Sequence, residues 1–204
     1  MLASGANGVK VHIGCGTVYL YDWVNVDLPS AQTFLALDRP DLVERWGTTE
    51  DRYYARHQDK TADSLRAGPL AEDMVCDRYG SFEELPVQPN TAVQVLARHC
   101  FEHLSVKEAR RALANMYAIL KPGGQLRIDV PDHQGTLEEF KRTGDAFYIR
   151  HLLGPRRNDH GFHMMSYTQE MLKQVVRSAG FRFVYQERNI HFFPAFCLRF
   201  EKVN

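Results

Sequence analysis

Two stretches decide the fold: VKVHIGCGTV at residues 9–18 and DWVNVDL at residues 22–28. The first is a short run of β-branched residues that leads into a glycine turn, where Gly14 and Gly16 leave no Cβ and allow positive φ. The second is another apolar run, and it ends in Asp27. A glycine turn after the first strand and a carboxylate at the tip of the second bind ribose in open α/β sheets. The pattern therefore predicts a nucleoside site at this edge.

The turn differs from the dinucleotide fingerprint in two respects. It lacks the third glycine of GxGxxG, and eleven residues separate Gly16 from Asp27 where the fingerprint has about 20. A phosphate cradle is needed only for a diphosphate, so we expect a nucleoside ligand without phosphates. A lone GxG is also compatible with an ordinary strand-ending turn, and Asp27 is what favours binding.

Short apolar runs alternate with helix-like stretches along the chain, which predicts an α/β fold with a mostly parallel sheet. The run at residues 92–97 is apolar at nearly every position, as in a central strand covered on both faces. The predicted strands are Val9–Ile13, Trp23–Asp27, Met74–Cys76, Ala92–Ala97, Leu126–Val130, Phe181–Glu187 and Ala195–Lys202.

Three helices are predicted from periodicity and end signals. SVKE at residues 105–108 is a capping box, apolar positions at helical spacing follow it, and the sequence Pro-Gly-Gly at 122–124 ends the run. A second helix is predicted from residue 166 or 168 to Gly180, and a third from residue 136 to about 152.

Residues 29–73 have no clean period and contain nine acidic and six basic residues. A loop of this length without structure is uncommon inside a compact domain. We therefore expect one or two short helices and a lid-like insertion, within a single domain that spans residues 1–204.

Taken in order, the motifs resemble those of the class I S-adenosylmethionine-dependent methyltransferases, especially the small bacterial and phage-type members similar to methyltransferase type 11. The matching text is VHIGCG, DWVNVDL, CDRYGSFEELP, VLARHCFEHLS, ILKPGGQLRIDVPD and HMMSYTQEMLKQVVRSAGF. It covers about residues 9–28 and 74–181. The resemblance implies a Rossmann-like sheet of seven mostly parallel strands, with a C-terminal antiparallel hairpin and helices on both faces. It also implies methyl transfer from S-adenosyl-L-methionine.

The resemblance assigns cofactor contacts residue by residue. The methionine part falls against Gly14, Cys15 and Gly16, the ribose on Asp27, the adenine edge near Asp77, and the backbone after the fourth strand near Arg98 and His99. The sequence departs from the family at His12, where many members have an acidic residue. The link from Gly16 to Trp23 is also too short for a full crossover helix, so we expect only a turn there.

The methyl acceptor is predicted to be a small molecule or a sugar-containing metabolite. Transfer to oxygen or nitrogen benefits from a general base that titrates near neutrality, which favours histidine. His163, with His160 in reserve, precedes the late helix on a loop at the ligand-binding edge. The alternative for His163 is a helix-entry histidine bonded to the backbone.

Composition excludes several other classes of function. Twenty-five basic and 25 acidic residues give a net charge of zero and a pI near 7.1, and no NPPY-like motif follows the fourth strand, so nucleic acid is not the expected partner. No membrane span or leader is recognised. The four cysteines lie far apart, which predicts reduced thiols and a cytoplasmic protein.

Two alternatives stay open at this point. One is a module that binds the cofactor without catalysis, because no residue is conspicuous as a nucleophile. The other is a zinc hydrolase, because residues 99–103 satisfy H-x-x-E-H, with Glu170 as a candidate third ligand. The methyltransferase interpretation itself predicts no metal.

Overall fold

The computed structural model describes residues 8–53, 72–154, 162–189, 191 and 193–203. The strands in these ranges are β1 (Val9–Ile13), β2 (Tyr19–Leu20), β3 (Val24–Asp27), β4 (Thr33–Leu35), β5 (Gly47–Thr48), β6 (Met74–Cys76), β7 (Arg78–Tyr79), β8 (Ala92–Arg98), β9 (Leu120–Pro131), β10 (Phe181–Glu187) and β11 (Ala195–Lys202). The α-helices are α1 (Pro40–Trp46), α2 (Val106–Ile119), α3 (His133–Thr143), α4 (Ala146–Leu153) and α5 (Gln169–Arg177).

One sheet of seven strands organises the molecule, in the order β10-β11-β9-β8-β1-β3-β7. Neighbouring strands from β9 to β7 are parallel, whereas β11 runs antiparallel to both β9 and β10. The predicted Rossmann-like sheet with its C-terminal antiparallel hairpin is therefore confirmed. This order places the carboxyl ends of β3, β1 and β8 side by side at one edge.

The two faces of the sheet differ because side chains alternate along each strand. One face carries apolar side chains that pack against α2 and α5 in the largest core cluster. The opposite face carries buried polar side chains: His12, Asn25, Arg127 and Asp129. Buried polar groups are tolerated only when they have partners, so this second face must be held by specific contacts.

The predicted capping box starts α2. The Ser105 backbone N–H donates to Glu108 Oε2 over 2.8 Å, and Glu108 N–H donates back to Ser105 Oγ. The second predicted helix is also present as α5, which begins after Thr168, the residue whose side chain caps it.

The prediction of one helix from residue 136 to 152 was wrong. Two helices, α3 and α4, occupy this stretch, because Gly144 adopts a left-handed conformation with φ of 70° and ends α3. Asp145 then caps α4 by accepting a hydrogen bond from the Phe147 N–H.

The predicted third strand, Met74–Cys76, is present as β6, but it is not part of the main sheet. β6 pairs with β4 in a separate two-stranded sheet, and β7 takes the edge of the main sheet. The chain changes partner at Asp77, whose N–H donates to the Asn25 carbonyl.

The first crossover helix is reduced to a turn, as predicted. Between Gly16 and Trp23 the chain forms only β2, which pairs with β5 from the insertion. The described part of the insertion contains α1 and a 3-10 turn at Glu50–Arg52, and residues 54–71 lie outside the described ranges. No helix in the described ranges has the length and apolar character needed to cross a membrane.

Candidate active site

The glycine turn after β1 leaves open space at the carboxyl edge of the sheet. Gly14 and Gly16 have φ of 64° and 54°, so both occupy the left-handed region that favours glycine. A Cβ on Gly14 would lie 2.7 Å from the Cys100 Cβ, whereas a Cβ on Gly16 would meet nothing within 4 Å. Gly14 therefore packs so closely against the loop after β8 that a side chain has no room there, whereas Gly16 borders open space.

Asp27 lies beside this space. Its Oδ2 accepts a 2.6 Å hydrogen bond from the Gly16 N–H, and its Oδ1 accepts one from the Leu28 N–H. Burial raises the pKa of the Asp27 carboxyl. The predicted ribose residue and the predicted methionine-binding turn are thus in direct contact.

Cys15 and Asp77 are both committed to the framework. The Cys15 thiol is buried and donates to the Val75 carbonyl, and burial raises its pKa, so only its backbone is accessible to a ligand. The Asp77 carboxylate accepts from Tyr19 Oη over 2.7 Å and from the backbone and side-chain nitrogens of Asn25. Asp77 therefore joins β2 to β3, and its contact with the adenine stays a prediction.

His12 does not replace the acidic residue of the family. It is fully buried between Asn25 Oδ1 at 3.1 Å and Tyr53 Oη at 2.9 Å. Because Asn25 Oδ1 accepts, His12 carries its proton on Nδ1, and Nε2 accepts from the tyrosine hydroxyl. Burial lowers the His12 pKa to about 3, so the ring is neutral.

Arg98 is the last residue of β8, and His99 follows it. The buried Arg98 guanidinium lies 4.4 Å from the Tyr53 ring, and its Nε is 2.9 Å from Asp129 Oδ2. His99 has a φ of 51°, uncommon for a residue other than glycine, and its N–H donates to the Asp129 carbonyl. His99 Nε2 lies 3.1 Å from His191 Nε2.

His163 lies in a second group of side chains at the same edge. Its Nε2 is 3.8 Å from Glu102 Oε1, only 7% of its side chain is exposed, and its backbone N–H donates to the Leu153 carbonyl. Its imidazole also hydrogen bonds to the backbone of Leu152, and burial lowers its pKa. The backbone-bonded arrangement is therefore present, and it coexists with the buried carboxylate. His160, the reserve base, lies outside the described residues.

The H-x-x-E-H segment does not form the zinc-hydrolase arrangement. That site needs both histidines on one face of a helix, but here a single 3-10 turn, Phe101–His103, follows β8. His99 groups with Asp129 and His191, whereas His103 groups with Glu102 and His163. The predicted third ligand, Glu170, is mostly exposed and pairs with Lys173.

A polar cavity of about 480 Å³ opens beside this edge. It lies over the polar face of β9, β10 and β11. Its walls include Arg98, Arg127, Asp129, Glu187, Asn189 and His191. Arg127 forms ion pairs with both Glu50 and Glu187, and these pairs hold the three charged side chains in place in the cavity wall.

Sequence reasoning missed Asp129, His191 and Glu102 as members of the site. Asp129 is the second acidic candidate at a strand tip, in RIDVP, and its position there was a usable signal. His191 had no local signal, because it meets Asp129 only through the antiparallel pairing of β11 with β9. Glu102 lies in the family-like segment VLARHCFEHLS and in the zinc motif, and its local sequence indicates the start of a helix rather than a site residue.

Comparison with known proteins identifies the family and the fold. The profile of a family described as a methyltransferase domain matches residues 11–128, more than half of the chain. No curated protein matches the sequence significantly.

Solved structures share the fold at low sequence identity. A methyltransferase from Methanosarcina mazei that depends on S-adenosylmethionine has a TM-score of 0.55 at 12% identity, covering 98% of this chain and 94% of that one. The 1,6-didemethyltoxoflavin-N1-methyltransferase of Burkholderia thailandensis, solved with 1,6-didemethyltoxoflavin and S-adenosylhomocysteine, has a TM-score of 0.54 at 16% identity, covering 97% and 72%. Magnesium protoporphyrin IX methyltransferase of Synechocystis PCC 6803, solved with S-adenosylhomocysteine, has a TM-score of 0.51 at 11% identity, covering 96% and 74%.

Proposed function

The chain belongs to the methyltransferase domain family, and we propose that it methylates an oxygen or nitrogen atom of a small polar molecule or a sugar-containing metabolite. The cofactor is S-adenosylmethionine. The observation that carries the proposed acceptor class is the polar cavity, which begins at Arg98, the last residue of β8. Walls of charged and amide groups suit an acceptor rich in hydroxyl or charged groups.

The residues at the edge fit the cofactor. The open space at Gly16 would take its methionine part, with backbone contacts from Gly14 and Cys15. Asp27 accepts hydrogen bonds from the Gly16 and Leu28 backbone and from the Cys15 thiol, and a carboxylate accepts about four, so it retains capacity for a ribose hydroxyl. Asp77 on the adenine side and the backbone of Arg98 and His99 complete the proposed set.

The bound cofactor supplies a methyl group already activated on a sulfonium. The protein's contribution is then to align the acceptor and to receive its proton. We assign the second task to His163, whose neutral form is favoured by burial and whose Nε2 faces the Glu102 carboxylate. Once the imidazole is protonated, that carboxylate stabilises it.

Two further observations support the proposal. The Burkholderia neighbour of the same fold is named for the methylation of a small molecule. All four cysteines are free thiols, which supports a reducing compartment such as the cytoplasm.

Calorimetry with S-adenosylhomocysteine tests the cofactor site directly. We expect one site per chain and little competition from NAD or ATP. Asp27→Ala should weaken binding by roughly 1–3 kcal/mol because the ribose loses its acceptor. Asp38→Ala removes an exposed carboxylate of the insertion and is the matched control. A folded protein that ignores S-adenosylhomocysteine, or an Asp27→Ala variant that binds like Asp38→Ala, would contradict the assignment.

The acceptor class is tested by a methyl-transfer screen with labelled cofactor against sugar nucleotides, amino sugars and small polar amines or phenols. Binding without turnover on any of them would favour the cofactor-binding module without catalysis.

A further inference from the structure

We propose that His99, Asp129 and His191 bind one divalent first-row transition-metal ion. The two Nε2 atoms lie 3.1 Å apart, and His191 Nε2 lies 3.2 Å from Asp129 Oδ1 and 3.1 Å from Oδ2. His99 Nε2 lies 3.8 Å from Asp129 Oδ1. An ion bonded to nitrogen and oxygen at about 2.0–2.2 Å sets neighbouring ligand atoms about 3.0–3.5 Å apart. The three side chains already have nearly that spacing.

The ring protons of His99 and His191 cannot be placed so that both imidazoles and Asp129 are well hydrogen bonded to one another. If His191 Nε2 carries a proton and donates it to Asp129, that nitrogen has no lone pair for His99. If His99 donates to His191 instead, the His191 lone pair faces the carboxylate without a proton between them. A cation at the centre satisfies both imidazole lone pairs and the carboxylate together.

The surroundings match those of a ligand set. Metal-bound histidines usually donate their other ring N–H to a carboxylate, and His99 Nδ1 lies 3.4 Å from Glu102 Oε1. Arg98 Nε lies 2.9 Å from Asp129 Oδ2, which leaves Oδ1 as the ligand atom. The side chains of His191 and Asp129 are only 4% and 2% exposed.

The ligand chemistry indicates the class of ion. Two imidazole nitrogens and one carboxylate oxygen suit zinc, iron(II), cobalt(II) or nickel(II) better than magnesium or calcium. Asp129 and His191 also line the polar cavity, so remaining coordination positions would face it. If the proposed function holds, an oxygen or nitrogen of the acceptor would fill one of them; binding of the ion itself does not depend on that.

A second group, Glu102, His103 and His163, also has ligand atoms within 4.8 Å of one another. It fits less well, because Glu102 Oε1 already faces His99 Nδ1 at 3.4 Å. His103 Nδ1 donates to the Phe162 carbonyl over 2.8 Å. This group supplies the matched control, since it offers the same residue types a few residues away.

The test uses the full chain, freed of metal with a chelator and dialysed against ZnCl₂ or CoCl₂. We expect one ion per chain by elemental analysis, and a visible absorption spectrum of low-symmetry cobalt. His191→Ala should weaken binding about 100-fold or more, and Glu102→Gln by about 10–100-fold, as for the loss of an outer partner. His103→Ala should bind like the wild type. Asp129→Asn adds a second ligand variant, and circular dichroism establishes that each variant is folded.

Three outcomes would overturn the proposal: no stoichiometric ion, unchanged binding in a folded His191→Ala variant, or loss of binding in His103→Ala. Titration with S-adenosylhomocysteine on the same preparations separates this proposal from the proposed function. Cofactor binding without metal contradicts only the metal site, and metal binding without cofactor contradicts only the methyltransferase assignment.

Discussion

At the residue scale, His163 is bonded to the backbone, and this arrangement is compatible with the proposed role as a base. Its backbone and imidazole are both tied to the end of α4, and its Nε2 nevertheless remains near the Glu102 carboxylate. A base needs a fixed orientation as well as a suitable pKa, and the backbone bonds supply the orientation. A helix-entry histidine can therefore also be the residue that receives the acceptor's proton.

We expect His163→Ala to lower kcat by roughly 10²–10⁴-fold with little change in S-adenosylhomocysteine affinity. Because burial lowers the His163 pKa, the neutral base persists below the ordinary histidine value near 6.5. The wild-type rate should therefore fall with acid only below about pH 6.5, and be flat above it. Initial rates from pH 5 to 9, with the acceptor found by the screen, measure both effects.

His103→Ala is the control for His163, because the two rings lie 4.9 Å apart and His103 Nδ1 is bonded to the Phe162 carbonyl. Equal losses of kcat in both variants would indicate a structural effect rather than proton transfer.

How well the sequence predicted each site residue depended on how local its role is. Gly14, Gly16 and Asp27 were predicted together, and the structure places them in contact, because a turn and the tip of the adjacent strand are separated by few residues. Asp129 and His191 lie 62 residues apart in the chain, and only the order of β8, β9 and β11 brings them to His99. Composition and spacing do not contain that information.

At the element scale, the insertion replaces the missing first crossover helix. Tyr53, at the end of its 3-10 turn, packs on the polar face of the sheet against His12 and Arg98. Its strand pairings are short: β5 contributes two residues and β4 three to separate two-stranded sheets. Sequence predicted the reduced helix from the short link. It did not predict these small sheets, because two-residue and three-residue strands carry no detectable period.

We expect residues 33–53 of the insertion to exchange their amide hydrogens quickly in the free protein. Its strand pairings are only two and three residues long, and short pairings open at low free-energy cost. Binding of S-adenosylhomocysteine at Gly16 and Asp27 should slow this exchange, because β2, the partner of β5, follows the glycine turn directly. Hydrogen exchange followed by mass spectrometry measures the change, with peptides from β8 as the internal standard. Slow exchange that is the same in both states would mean that the insertion is fixed scaffold.

At the scale of the whole molecule, the sheet separates an apolar core from a buried polar layer, and this division makes the fold sensitive to acid. His12 has a pKa of about 3 in the fold and about 6.5 when unfolded, because desolvation opposes the charged ring. Burial lowers the pKa of His151 to about 3 for the same reason. Among the described histidines with resolved shifts, only His99 has a raised pKa, which acts in the opposite direction. The native state therefore binds fewer protons than the unfolded state between pH 6.5 and 3.

Stability should accordingly fall as the pH drops below 6.5. One histidine with these two pKa values costs on the order of 1 kcal/mol of unfolding free energy between pH 7.5 and 5.5. Urea unfolding at the two pH values, with chelator present, measures the loss in the wild type. His12→Gln keeps a group able to meet Asn25 and Tyr53 but removes the titration. It should be less stable than the wild type at pH 7.5 and lose less unfolding free energy on acidification, by on the order of 1 kcal/mol. If both proteins lose the same amount, His12 is not the buried neutral group that holds the polar layer together.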